Sequence, residues 1–197
     1  MSEQGLFPVF LKLQGRKVLL VGGGVVACAK LPDLIRARAL VTVVAPHVLP
    51  AITSFGGVIV VQREFAPGDL NDAWFVVAAA TPEVNRQVAA AAEQRKVFVN
   101  AVDDADRASA YSGGIFRRGG VTIAVSTEGR APALAGLLRE GLDALVPDDI
   151  EAWVGAAGRL RQEQRAAGIP MTDRRPLLLR SLNRLYEAKH IAVEAKA

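Results

Sequence analysis

Three consecutive glycines, Gly22, Gly23 and Gly24, stand between the aliphatic run "RKVLLV" and a helix-like stretch that begins at Val25. With Val25, Val26 and Ala27 they satisfy the pattern G-x-G-x-x-[G/A]. That pattern carries chemistry only when it follows a strand and opens a helix. Both conditions are met here. Gly22 permits the tight turn, Gly24 lets backbone approach a pyrophosphate, and Ala27 is small enough for close helix–strand packing. The N–H groups at the helix start then face the phosphates, where the helix dipole favours negative charge. The loop therefore points to a dinucleotide, against the plainer reading of a glycine turn in an α/β protein. The acidic residue usually found at the end of the second strand, which holds the adenosine ribose, is missing. That strand ends Val44-Ala45-Pro46-His47, so ribose contacts must come from backbone or from His47, and the residues leave NAD and NADP open.

Other residues with chemical capacity cluster after later strands. Asp103, Asp104 and Asp106 follow the fifth aliphatic run, "KVFVNAVD". A carboxylate there is either a turn-former or a base at the carboxyl edge of a parallel sheet. Ser126 and Thr127 close a further strand and can bond a substrate carboxylate or simply shape the loop. Arg117 and Arg118 can receive carboxylates in fork geometry or serve as solvated surface. Cys28, the only cysteine, reads as core packing and excludes an internal disulfide. His47 and His190, the only histidines, have no partners at ligand spacing, so no metal site is expected.

These groups require a scaffold of alternating elements. Strands are expected at 16–23, 39–46, 56–64, 72–81 and 96–103. Helical stretches are expected from Val25 to about Ala37, near Pro67–Leu70, and over 82–95. Continuous aliphatic strands alternating with helices indicate an α/β, Rossmann-like parallel sheet covered on both faces. Pro32 inside the first helix should kink it or end it early. Another strand (119–127) and an amphipathic helix starting at Pro132 follow, and then a basic helical tail. The first helix of the tail opens on a capping box formed by Asp148 and Glu151 and stops at Gly168, and after a turn a second basic helix is expected over 174–190. Trp74 and Trp153 read as core anchors. The expected organisation is a dinucleotide-binding domain over 1–112, a dimerisation region over 113–146 and a small helical domain over 147–197.

Bulk composition narrows the class. Of 197 residues, 51% are hydrophobic and 22% charged, enough for a globular core. The N-terminal run "LFPVFLKL" contains Pro8 and Lys12 and lacks a basic leader, so a signal peptide is not expected. No stretch approaches the ~18 uncharged apolar residues of a membrane span. A cytoplasmic protein without a membrane partner is the expectation. The net charge of +4 names no partner. Seven arginines (159, 161, 165, 174, 175, 180 and 184) concentrate in the tail. They read as a solvated face or as a surface for a small polycarboxylate; the tail lacks a nucleic-acid docking element, so no nucleic-acid partner is expected.

Read in order, "FPVFLKLQGRKVLLVGGGVVA", "VTVVAP", "VFVNAVDDADRAS" and "IAVSTEGRAPALAGLLRE" resemble the precorrin-2 dehydrogenase family, the siroheme-synthase N-terminal module. The resemblance covers roughly residues 6–147 and makes the missing ribose acid a family trait. It implies oxidation of precorrin-2 to sirohydrochlorin with NAD as hydride acceptor, followed in some members by insertion of ferrous iron or cobalt. It implies a homodimer. The family's key aspartate falls on Asp103, and its cofactor contacts on Gly22, Gly23, Gly24, Val25, Val26, Pro46 and His47; Ser126, Thr127 and Arg117 are the candidate substrate contacts read from the residues themselves. The chain departs from the family pattern at Ala29, Pro32, Gly113-Gly114 and Ala131; the last removes a serine cap worth ~1 kcal/mol of helix stability. The competing reading is an NAD(H)-sensing module without chemistry of its own.

Overall fold

The computed structural model describes residues 5–194, with side-chain surroundings through residue 183. The chain forms two compact units. One holds the residues up to Ser112 together with Glu128–Arg130, and the other holds 113–127 and the residues from Ala131 onward.

The first unit is a five-stranded parallel sheet in the order β3-β2-β1-β4-β5. Its strands are β1 (Lys17–Val21), β2 (Leu40–Val44), β3 (Val58–Val61), β4 (Phe75–Ala78) and β5 (Phe98–Ala101). The order reverses at β1, which pairs with β2 on one side and with β4 on the other, Val21 lying opposite both Val44 and Ala78. Because side chains alternate across a strand, β1 feeds two cores. Val18 and Leu20 pack with Ala27, Leu31 and Leu34 of α1 (Val25–Arg36). Leu19 and Val21 join Val88 and Ala92 of α3 (Pro82–Arg95) on the other face. A short helix, α2 (Pro50–Thr53), supplies the fully buried Ile52 to the α1 side, and a 3₁₀ turn over Pro67–Leu70 supplies Leu70 to the α3 side.

The early end expected of α1 does not occur. The helix runs a full turn beyond Pro32 to Arg36. Pro32 is exposed, so water can satisfy the Cys28 carbonyl that loses its bond, while Leu31 and Leu34 on the buried face hold the helix on the sheet. Burying two leucines contributes roughly 1.5–3 kcal/mol each, enough to offset the ~3 kcal/mol cost of an interior proline. Cys28 packs against that core, as expected. Trp74 is not a core anchor. It is 53% exposed and carries the Arg16 guanidinium 3.8 Å above its ring.

The second unit contains a hairpin of β6 (Gly114–Arg118) and β7 (Val121–Val125), then α4 (Pro132–Leu145), α5 (Ile150–Ala166) and α6 (Met171–Glu194). Only one strand was expected here. The turn residues Gly119 and Gly120 both have positive φ, 50° and 82°, as a two-residue hairpin loop with right-handed twist demands. The box expected of Asp148 and Glu151 is not formed. Asp149 takes the cap position one residue later, and Asp148 pairs instead with Arg118 at 3.2 Å. Gly168, at φ 66°, does follow the end of α5. Among the described residues no helix is long and apolar enough to cross a membrane.

The helix interior gives the first prediction. Pro32→Ala should restore a backbone bond at an exposed site and stabilise the protein by about 2 kcal/mol, since the helix gain exceeds the lost rigidity of the unfolded chain. Urea unfolding checks it; an unchanged or lower midpoint would show that the helix relies on the proline.

Candidate functional site

The carboxyl edge of the sheet is where an open α/β fold places its ligand, at the point where strand order reverses. Gly22 and Gly23 are fixed there by crowding. A Cβ on Gly22, whose φ is 127°, would lie 2.2 Å from the Ala79 carbonyl oxygen. One on Gly23 would lie 2.0 Å from that of His47. Backbone bonds from Gly22 N–H to Val44 O (3.0 Å) and from Leu49 N–H to Gly23 O (2.9 Å) lock the loop. Gly24 is different: a Cβ there meets nothing within 4 Å. It occupies the cap of α1, whose first N–H groups have no partner within the helix. The space over Gly24 is therefore open and faces the amino end of a helix.

That space belongs to a cleft of ≈ 600 Å³. Gly22, Gly23, Gly24, Pro46 and His47 line it together, so the structure unites most of the expected cofactor residues. Val25 and Val26 lie outside the lining, exposed on the first turn of α1. Sequence reasoning missed the opposite wall: Glu64 and Phe65 after β3, and Ala79, Ala80 and Thr81 after β4. Among the described residues the lining includes no lysine or arginine, and Glu64 is its only carboxylate.

The Glu64–Phe65 wall is held by an ion pair. Arg63 grips Asp69 with a two-pronged fork, Nη1 donating to Oδ2 at 2.8 Å and Nη2 to Oδ1. Nη1 also donates to the Glu64 carbonyl at 2.9 Å, and Ala66 N–H donates to Asp69 Oδ2 at 2.9 Å. The Arg63 hydrogen bond, helped by that from Ala66 and by the charge of Arg63, holds the Asp69 carboxyl below its ordinary value against a smaller opposing effect of burial.

Asp103 lies on the turn that follows β5, exposed, with φ 59°. Asp tolerates this left-handed region at a cost of roughly 1–2 kcal/mol. Buried Asn85 secures the turn: its Oδ1 accepts from Ala80 N–H (2.9 Å) and its Nδ2 donates to the Val102 carbonyl (3.4 Å). A cleft residue and the residue before Asp103 are thus tied to one side chain. Asp104 pairs with Arg107 at 2.9 Å. In the second unit Thr127 Oγ1 accepts from Ala131 N–H at 3.2 Å, and α4 opens from Ala131 with no side-chain cap. Ser126 and Arg117 belong to that unit too, where Arg118 is engaged by Asp143 at 2.6 Å. Five of the tail arginines (159, 161, 165, 175 and 180) are exposed, and Arg174 donates to the Ile169 carbonyl at 2.9 Å. The side chains of Arg184 and His190 lie outside the described residues.

A parallel sheet in this order, a crowded glycine turn and an open helix start over a cleft define a dinucleotide-binding α/β protein of the Rossmann type. The family model for putative NAD(P)-binding domains matches residues 9–114, and that for the central part of sirohaem biosynthesis proteins matches 118–145. Siroheme synthase 3 of Aeromonas hydrophila is 42% identical over 172 residues, covering 85% of this chain and 37% of that protein. Siroheme synthase 2 of Yersinia pseudotuberculosis is 42% identical over 173 residues, covering 86% and 37%. The chain thus spans well under half the length of these curated relatives. A solved structure titled SirC, precorrin-2 dehydrogenase, shares the fold with a TM-score of 0.73 at 24% identity, over 98% of this chain and all of that one. The chain belongs to the siroheme-synthase family of NAD(P)-binding modules.

The ion pair behind the cleft wall gives a pH prediction. Because the folded-state pKa of Asp69 is lowered, its stabilisation is fully present above the ordinary value of 3.8 and is lost as pH falls through the lower folded value. The urea midpoint of the parent should exceed that of Asp69→Asn at neutral pH, and the two should converge in acid. A margin that persists once acid has protonated the carboxyl in both folded and unfolded chains would mean the side chain acts by packing.

Proposed function

We propose that the chain acts as a cytoplasmic homodimer that oxidises precorrin-2 to sirohydrochlorin, with NAD as hydride acceptor. The observation that carries this reading is Asn85, which ties the dinucleotide cleft to the turn bearing Asp103. Membership in the siroheme-synthase family supports the choice of substrate. The residues present fit the cofactor. Gly22 and Gly23 shape the turn, Gly24 leaves room for a pyrophosphate against free N–H groups, and Pro46 and His47 border the cleft. NAD is favoured over NADP because the lining offers Glu64 and no arginine or lysine, which repels rather than pairs a 2′-phosphate.

When bound, the nicotinamide supplies the hydride acceptor. The substrate must also lose a proton, and Asp103 is the base we assign to it. Its exposure leaves the carboxylate accessible, and its left-handed backbone fixes where the side chain leaves the turn. The same carboxylate can take up pyrrole protons when ferrous iron or cobalt enters the macrocycle, the second activity the resemblance implies. Ser126, Thr127 and Arg117 are assigned to substrate carboxylates. The Thr127 hydroxyl already accepts one bond and so retains its proton for an acceptor.

Two variants test this assignment together. Asp103→Asn should lower dehydrogenation by about 10²–10⁴-fold and leave NAD affinity unchanged. Gly24→Asp should abolish NAD binding in a protein that still folds, since a Cβ there meets nothing within 4 Å and the added charge opposes a pyrophosphate. Parental turnover by Asp103→Asn removes it as the base. NAD binding by a parent that never turns over would favour the sensing module instead. The dimer is tested separately by light scattering, which should give twice 20.9 kDa; a monomer at micromolar concentration overturns it.

A further inference from the structure

Lys30, in the second turn of α1, lies outside the residues that line the dinucleotide cleft. Helical side chains lean toward the amino end of their helix, here toward the carboxyl edge of the sheet. The Lys30 Nζ donates to Ser112 Oγ at 3.0 Å. Ser112 Oγ lies 3.2 Å from Asn100 Oδ1, and Asn100 Nδ2 donates to the Ala110 carbonyl at 3.0 Å. An ammonium can only donate, so the direction of every bond is set. Ser112 must accept from Lys30 and pass its own proton to Asn100 Oδ1. Asn100 is 7% exposed and sits next to the end of β5, the strand that leads into the Asp103 turn. The chain of bonds thus anchors a cation to a buried side chain at the strand end that carries the proposed base.

The residue is half-buried, but its ammonium meets Ser112 at an exposed position and has three donors, of which Ser112 takes one. Among the described residues no carboxylate pairs with it, whereas Lys17, Arg63, Arg86, Arg107 and Arg118 each have an acidic partner. A cation fixed by Ser112, with no acidic partner and two further donors, is placed to receive an anion. The dinucleotide phosphates are served by the glycine loop, so the anion belongs to the other ligand.

We infer that Lys30 binds a carboxylate of the substrate, held in place for it by Ser112 and Asn100. This rests on the polycarboxylate tetrapyrrole proposed above. The test uses the full chain with saturating NAD and an octacarboxylic porphyrin, uroporphyrin III, followed by fluorescence quenching. Lys30→Gln keeps a donor for Ser112 and loses the charge; porphyrin affinity should fall roughly tenfold, the scale of one charge-assisted bond. Lys30→Arg should recover most of it. The KM for precorrin-2 should rise in Lys30→Gln with kcat nearly constant, and NAD affinity should not change, which also reports correct folding. Equal porphyrin binding by the parent and Lys30→Gln overturns this inference alone. A parent that binds NAD but no porphyrin overturns both this inference and the proposed substrate.

Discussion

The contact on which the rest depends is backbone against backbone at the turn after β1. Gly22 lies so close to the Ala79 carbonyl, and Gly23 to that of His47, that neither admits a side chain. This proximity draws the ends of β1, β2 and β4 together and sets where α1 begins. It also decides which glycine is free. Gly24 alone faces open space, so the loop's third glycine serves the ligand while the first two serve the fold.

Polar side chains extend that order outward. Against a sheet whose strands are almost wholly apolar, Asn85 of α3 and Asn100 of β5 are buried with partners at both ends of their amides. An unpaired buried amide would cost more than it returns, so each fixes its loop in the one arrangement that satisfies it. Both hold backbone beside the Asp103 turn, where the chain accepts an unfavourable φ. The strain is tolerated because the neighbouring bonds leave the backbone no other path. Arg63 and Asp69 do the same for the wall that carries Glu64 and Phe65.

The sheet was legible in the sequence because five buried parallel strands must be continuous aliphatic runs, and each was bounded by glycine, proline or polar residues. The glycine loop was legible because its context could be read along with it. What escaped was whatever depends on distant partners. Glu64 and Phe65 belong to no motif and reach the cleft only through a fork between Arg63 and Asp69. The strand Gly114–Arg118 is short and ends on two arginines, which hides its alternation; its pairing rests on the Gly119–Gly120 turn. The cap at Asp148 looked complete locally, but Arg118 draws that carboxylate away. Pro32 obeyed its local rule at too small a scale to overcome two buried leucines. Trp74, expected as a core anchor, lies at the surface because Arg16 gives its ring a partner there.

The position of β1 in the sheet has a consequence for synthesis. Its first neighbour, β2, leaves the ribosome soon after it, but the other edge pairs with β4, whose Phe75 lies opposite Val18. Until that later segment emerges, one side of this central strand presents unpaired N–H and C=O groups. Such an edge is a template for joining other chains, and pairings that span long loops form slowly. The nascent chain is therefore most vulnerable to aggregation during the interval between its second and fourth strands. Translation speed and chaperone access over that stretch govern how much protein reaches the native state.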